Sequence, residues 1–241
     1  MKQELILLRA RNDAEVLYST KDDDTSSVEI SNVSWLVPYI WVNDKARIAL
    51  LSIVEADTLI SIPFRSWEFI ENPALFATSR NNWTIKTSTQ LEKPRYVLVC
   101  FQTSRKNSLK ARNDMYDHIQ LKDIKLFLNS ECHPYANLNL DIEKKDISFL
   151  YEMYVNFLGS YYGRKSGGYQ SALSRKEFLD SNFIVAIDCK YQNESIKSGS
   201  VDIRLEIETM TTVPQVTSCS CLIIHDQLIQ YSPLSNMVKR W

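Results

Sequence analysis

Val201-Asp202-Ile203-Arg204-Leu205-Glu206-Ile207-Glu208 alternates apolar and charged residues without a break. Successive side chains of a β-strand point to opposite faces, so this pattern buries one face and gives the other to water or a polar neighbour. A strand half-buried in this way belongs to a sheet that packs on one side. The stretch predicts a strand and, with the segments around it, an all-β protein.

Outward from it, Tyr96-Val97-Leu98-Val99-Cys100-Phe101 is apolar on both faces, which suits a central strand covered on both sides. Pro94 fits at or just before its start, where a missing amide donor costs little. Further strands are expected over Glu4–Arg9, Val28–Val37, Ile60–Phe69, Trp83–Thr87, Ile124–Asn129, Phe183–Asp188, Cys219–Ile224 and Leu228–Tyr231. The last two flank His225-Asp226-Gln227, which reads as a hairpin turn. Pro63 marks its strand as an edge or a bulge. With only five glycines, the turns must rest on Asn, Asp and Ser.

Two segments carry the helical period instead. After Asn43-Asp44 come Ala46, Ala49, Leu50 and Ile53 at i, i+3, i+4, i+7 spacing. A second helix is expected from Asp146 as N-cap, with Ile147, Leu150, Tyr151, Tyr154, Phe157, Leu158 and Tyr161 on its apolar stripe and Gly163 as terminator. Both read as helices laid against a sheet. Ser19–Ser27 reads as a linker, and Ser104–Asp117 and Gly163–Ser174 as long loops. Many short strands with two inserted helices fit a sandwich or barrel; a doubly wound sheet would alternate strand and helix regularly.

The 241 residues carry a formal net charge of -1, with 44% hydrophobic and 24% charged residues. That composition argues for a packed domain and gives no overall pull toward nucleic acid or anionic membrane. A chain of this length buries enough surface to need no disulfide or metal. Met1–Leu8 is too short an apolar run for a signal peptide and is cut off by Arg9 and Arg11; no other run approaches a membrane span. The expected place is therefore inside the cell, cytoplasmic or nuclear. Five cysteines, Cys100, Cys132, Cys189, Cys219 and Cys221, show no framework spacing and read as free thiols. The sequons at Asn32, Asn82 and Asn193 are then chance matches.

Candidate chemistry is sparse. Cys219-Ser220-Cys221 puts two thiols on one strand face with His225 four residues on, but zinc wants four ligands in CxxC-type spacing. Cys132-His133 pairs a thiol with an imidazole, yet neighbours in an extended segment face opposite ways; a partner would have to be His118 or His225. His225-Asp226 reads as a local hydrogen-bonding pair in a turn. No nucleophile elbow, phosphate loop or metalloprotease motif occurs, and Gly167-Gly168 alone is a loop feature. No catalytic, cofactor-binding or metal residues are assigned, and no enzyme is expected. Ser104–Arg112, with Arg105, Lys106, Lys110 and Arg112, is the one concentrated basic stretch; it reads as a solvated loop first and a weak phosphate contact second. Twelve Tyr, nine Phe and five Trp suit a core and also large protein–protein contacts.

Several passages resemble the double jelly-roll-like proteins of insect and other invertebrate genomes, relatives of the major capsid proteins of Polinton/Maverick-type elements. They are Trp35-Leu36-Val37-Pro38-Tyr39, Phe64-Arg65-Ser66-Trp67-Glu68, Lys86 to Arg95, and Phe101-Gln102-Thr103-Ser104-Arg105-Lys106-Asn107. Lys125 to Ser130, Pro134-Tyr135, Ile187-Asp188-Cys189, Gln192 to Gly199 and Cys221 to Asp226 follow in order. The resemblance implies an antiparallel jelly-roll β-sandwich, no catalytic site, and self-association, as a trimer in the family arrangement, with the virion as a second possible location. Double jelly rolls carry two sandwiches. Here residues 1–26 read as a residual strand of a preceding jelly roll plus linker, and residues 27–241 as the second sandwich.

The leading expectation is thus a structural, virus-derived, capsid-like subunit acting through self-association, without membrane or small-molecule partner. The alternatives are a host-repurposed β-sandwich that binds protein or carbohydrate, and a thiol- or metal-dependent enzyme built on Cys219, Cys221 and His225.

Overall fold

A computed structural model describes residues 4–10, 12–21, 25–86, 94–163, 173–191 and 201–240. Among them lie the strands β1 (Ile60–Asn72), β2 (Arg80–Ile85), β3 (Pro94–Thr103), β4 (Leu121–Leu128), β5 (Glu131–His133), β6 (Ile184–Asp188), β7 (Ile203–Thr209), β8 (Thr217–Ser232) and β9 (Met237–Arg240). The helices are α1 (Asp44–Glu55), α2 (Ser148–Tyr161) and α3 (Arg175–Ser181), with a 3-10 turn at Asp13–Glu15.

Every strand pair is antiparallel. One sheet runs β1-β8-β3-β6, with β9 added beside β8; the other runs β2-β7-β4-β5. The pairs β1·β8, β2·β7, β3·β6 and β4·β5 each join strands whose numbers sum to nine. That is the pairing of one long eight-stranded hairpin. Rolled up so that odd and even pairs fall on opposite sheets, it closes as a jelly roll.

The alternating stretch forms β7 as expected: Ile203, Leu205, Ile207 and Thr209 are buried, while Arg204, Glu206 and Glu208 face outward. From the other sheet Val97, Val99 and Phe101 of β3 and Cys219, Cys221 and Ile223 of β8 meet them in the core. β3 is central, between β8 and β6, and begins at Pro94. Its other face is covered too: the Tyr96 ring meets Phe157 of α2 edge-on at 5.1 Å, and its hydroxyl lies 2.5 Å from that of Ser160. Pro63 does sit on an edge strand, since β1 pairs only with β8. Of ten left-handed non-glycine positions among the described residues, six fall on Asp57, Ser104, Asn107, Asn129, Asn139 and Asn236, short polar residues that tolerate that conformation, and the others on Ile119, Gln120, Lys145 and Val216.

Several expectations need correction. His225-Asp226-Gln227 is not a turn; β8 runs unbroken through it because β1 pairs with it along its whole length, from Asn72↔Cys219 to Ile60↔Tyr231. Asp226 points outward, where Arg65 (3.4 Å) and Arg95 (2.5 Å) hold it. Glu4–Arg9 makes no strand in its described part, and Leu5 to Leu8 stay exposed, for no sheet edge lies beside them to complete a ladder. Val28–Val37 makes none either. All eight jelly-roll strands lie between Ile60 and Ser232.

α1 forms with Asn43 as its N-cap, accepting from the Ala46 amide at 2.9 Å, but it is not laid on a sheet and buries no residue. α2 starts one turn position later than expected. Ile147 is its N-cap: its carbonyl accepts from the Tyr151 amide at 2.9 Å, while the Asp146 carbonyl accepts instead from the Asp141 amide at 3.3 Å in a bridge. Among the described residues there are three α-helices rather than two. α3 was announced by Ser174-x-x-Glu177: the Ser174 hydroxyl accepts from the Glu177 amide, and the Glu177 carboxylate accepts from the Ser174 amide. Three- and four-residue β5 and β9 were too short to show a period. Ser104–Asp117 is a loop as expected. Most of the Gly163–Ser174 stretch, part of Ser19–Ser27, Thr87, Gly167-Gly168, Asn193 and the passages Thr87–Lys93 and Gln192–Gly199 lie outside the described residues.

Candidate interaction surface

The strands that carry the proposed thiol and imidazole groups keep them apart. Cys219, Cys221 and His225 share one parity on β8 and are all buried. A strand rises about 3.3 Å per residue, so Cys221 and His225 stand ~13 Å apart along it. They cannot hold one metal ion. Among the described residues no group of three or more His, Cys, Asp or Glu is placed to hold one. Burial pushes the thiols of Cys189, Cys219 and Cys221 far up and that of Cys100 up to about 12, which keeps them protonated and poor nucleophiles.

Cys132 and His133 sit side by side on β5, opposite Phe127 and Leu126 of β4. Neighbours on a strand face opposite ways, so the imidazole does not reach the adjacent thiol. His118 lies in the loop before β4, its Nδ1 accepting from the Gln120 amide at 3.1 Å and its ring edge-on to Phe183 at 6.3 Å. Burial lowers the proton affinity of both His118 and His133.

The basic loop is held by its own acids. Arg105 forks onto Asp117 with contacts of 2.5 and 3.2 Å, Arg112 onto Asp114 at 2.7 and 3.0 Å, and Lys106 pairs with Glu71 of β1. Asp117 also accepts from the Thr103 amide at 2.8 Å, so the loop is stapled to the end of β3. The amino-terminal segment docks on the same loop: Ser19 donates to the Leu109 carbonyl (2.8 Å) and Asn113 to that of Ala14 (2.9 Å).

What sequence reasoning missed is how far the chain between that docking point and β1 stands from the sandwich. Asp13 binds the Val28 amide at 3.1 Å, and Asp57 accepts from the Ser232 hydroxyl at 2.8 Å and the Leu234 amide at 3.1 Å. Between these two anchors, from Glu29 to Ala56, every residue but Ala46 is exposed. The excursion is apolar. Trp35-Leu36-Val37-Pro38-Tyr39-Ile40-Trp41-Val42 has no charge, and Leu36, Tyr39, Ile40 and Trp41 are 90, 80, 79 and 87% exposed. α1 adds Ile48, Leu50, Leu51, Ile53 and Val54, all exposed. The signal was present in the uncharged composition of residues 35–42, of which the first three fell in the strand expected over Val28–Val37.

A second apolar surface lies where β1 and β8 outrun the sandwich. Ile60, Ile62 and Phe64 share the inward parity of β1, and Ile229 and Tyr231 oppose Ile62 and Ile60. Val238 of β9 extends the row through Tyr231. Ile60, Ile62, Phe64 and Val238 are exposed there, because the second sheet does not reach this end. On the outward face Trp67 and Phe69 are about as open as the residues of the arm, with Tyr161 tilted against Trp67 at 6.1 Å. No helix among the described residues is long and apolar enough to cross a membrane.

Among curated proteins no sequence matches the chain. Solved structures similar to it include the Sputnik virophage (TM-score 0.42, 11% identity, covering 76% of this chain and 39% of that one). Also similar are the PBCV-1 virus capsid (0.43, 12%, 84% and 55%) and the mavirus major capsid protein (0.36, 9%, 76% and 41%). The chain thus spans between about two fifths and just over half of the structures it matches. A family model described as the double jelly roll-like domain matches residues 1–229. Nearly the whole chain is covered, and the chain belongs to the double jelly roll-like domain family.

Proposed function

We propose that this protein is a structural, virus-derived, capsid-like subunit that works by self-association and catalyses nothing. The observation that carries the reading is a complete eight-stranded jelly roll in a double jelly roll-like family chain that leaves a large apolar surface uncovered. Exposed patches beyond a few hundred Å² mark interaction sites on soluble proteins. In the same reading residues 1–26 are the end of a preceding jelly roll with its linker, residues 27–241 form the second, and the assembly is a trimer, within a cell or a virion.

Light scattering of the purified chain across a concentration series tests the association, and negative-stain microscopy distinguishes trimers from larger shells. A particle mass that stays at 28.0 kDa at every concentration overturns it.

A weak phosphate contact by Arg105–Arg112 is a lesser part of the reading. The pairing of Arg105, Lys106 and Arg112 with Asp117, Glu71 and Asp114 works against it, since those ion pairs would have to open first.

A further inference from the structure

We infer that the uncharged arm Trp35–Val42 of one copy seats on the apolar end of the first sheet of a second copy, over Ile60, Ile62, Phe64 and Val238. This rests on the self-association reading and deepens it by naming the two surfaces that meet.

Three observations carry it. The first is α1 itself. A helix of 12 residues is marginal in water on its own, and most helical stability in proteins comes from packing an apolar face. α1 buries no residue, so its apolar side chains Ile48, Leu50, Leu51, Ile53 and Val54 are open to a surface that would stabilise it.

The second is area. Trp35, Tyr39 and Trp41 are 51, 80 and 87% exposed, which at about 200 Å² per ring leaves on the order of 400 Å² of aromatic surface open. Covering it hides a similar area on the receiving face. A reciprocal exchange doubles that and reaches the ~1,600 Å² of a standard stable interface. The receiving face is apolar along Ile60, Ile62, Phe64, Ile229, Tyr231 and Val238, and Arg240, opposite Ile229, is turned onto the side-chain oxygen of Gln227 at 2.9 Å.

The third is reach. Asp57 fixes the end of α1 at the β8–β9 turn, beside the apolar end of its own sheet. Twelve helical residues at 1.5 Å each then hold the arm ~18 Å from that end. Residues 35–42 are all exposed, so the arm does not rest on its own receiving face and is open to a neighbour's.

Cross-linking between differently substituted chains tests this. In a Cys132→Ser background, Trp41→Cys and Ile62→Cys are placed in separate chains, mixed and oxidised, with Glu143→Cys, in an exposed loop, as the control partner. A disulfide-linked dimer of Trp41→Cys with Ile62→Cys, and none with Glu143→Cys, is expected. In parallel, Ile40→Asp/Trp41→Asp should lower the mass seen by light scattering to that of one chain, with thermal unfolding of the sandwich unchanged. If a chain carrying both cysteines links within itself, the arm folds back and the inference falls. If the wild-type chain assembles but neither the cross-link nor the Asp variant responds, the arm is not the contact, and self-association stands without it. A wild-type monomer overturns both.

Discussion

At the scale of single residues, burial sets the chemistry. Leu205 lies on the middle of the central strand β7 with no exposed surface. Leu205→Ala should cost about 2–5 kcal/mol in urea unfolding, by lost transfer energy and the cavity left behind. Its neighbour Glu206 faces water and pairs with the exposed Arg204 at 3.2 Å, so Glu206→Ala should stay within ~0.5 kcal/mol. The thiols divide in the same way. A thiol-specific reagent should label half-buried Cys132 quickly in the native protein and reach Cys189, Cys219 and Cys221 only on unfolding. His118 and His133 are held below the usual imidazole value of 6.5, chiefly by burial, with Asp117, Asp180, Glu131 and Asp188 acting weakly the other way. Below 6.5 the unfolded chain takes up the proton first, so stability is full above that value and declines as the pH falls through the folded values. The urea midpoint should therefore drop from about pH 7.5 to about pH 5.5, and drop less in His118→Gln/His133→Gln.

At the scale of elements, sequence pattern succeeded where one element buries one face against one partner. β7 alternates and is half-buried; β3 is apolar throughout and covered on both sides, by the core and by α2. The pattern failed where a neighbour decides. The polar interruption at His225-Asp226-Gln227 looks like a turn until β1 is seen pairing across it. Val28–Val37 has strand propensity and no edge beside it. α1 has the right spacing and N-cap but no sheet under it, which leads to an element-scale expectation. Amide hydrogen exchange should find α1 nearly unprotected in dilute, dissociated protein and protected at assembling concentrations, while β3 and β7 stay protected in both. Equal protection of α1 at all concentrations would mean that assembly does not cover it.

At the scale of the whole molecule, a jelly roll has four sheet edges, and its pairing scheme puts the 13-residue β1 on one of them. Around β1 gather the uncovered apolar groups of the sandwich's first sheet, Ile60, Ile62, Phe64, Trp67 and Phe69, with a larger set on residues 30–54, while charges elsewhere are matched locally, as in the Arg105–Asp117 and Arg112–Asp114 pairs. A contact made by Trp35–Val42 and the apolar end of the first sheet has no ion pair at its centre. Raising the salt from about 0.1 M to about 1 M, which shortens the screening length from ~10 Å to ~3 Å, should leave assembly intact or strengthen it slightly. Dissociation on adding salt would place the contact on charged groups instead.

The candidate surface was only half legible in advance. Aromatic abundance and the uncharged run at residues 35–42 are visible by eye, but a strand-like apolar run reads equally as core. Period and proline placement determined from the sequence alone that the chain is strand-rich and builds a sandwich or barrel, because those signals report how each residue's own backbone and its two faces are disposed. The antiparallel jelly roll was what the family resemblance implied. Which strands pair, that β8 runs straight, and that the excursion from Glu29 to Ala56 stands off the sandwich were decided only by the tertiary structure. Each of those depends on what lies opposite a segment in space, and no residue carries its distant neighbour in its own spacing.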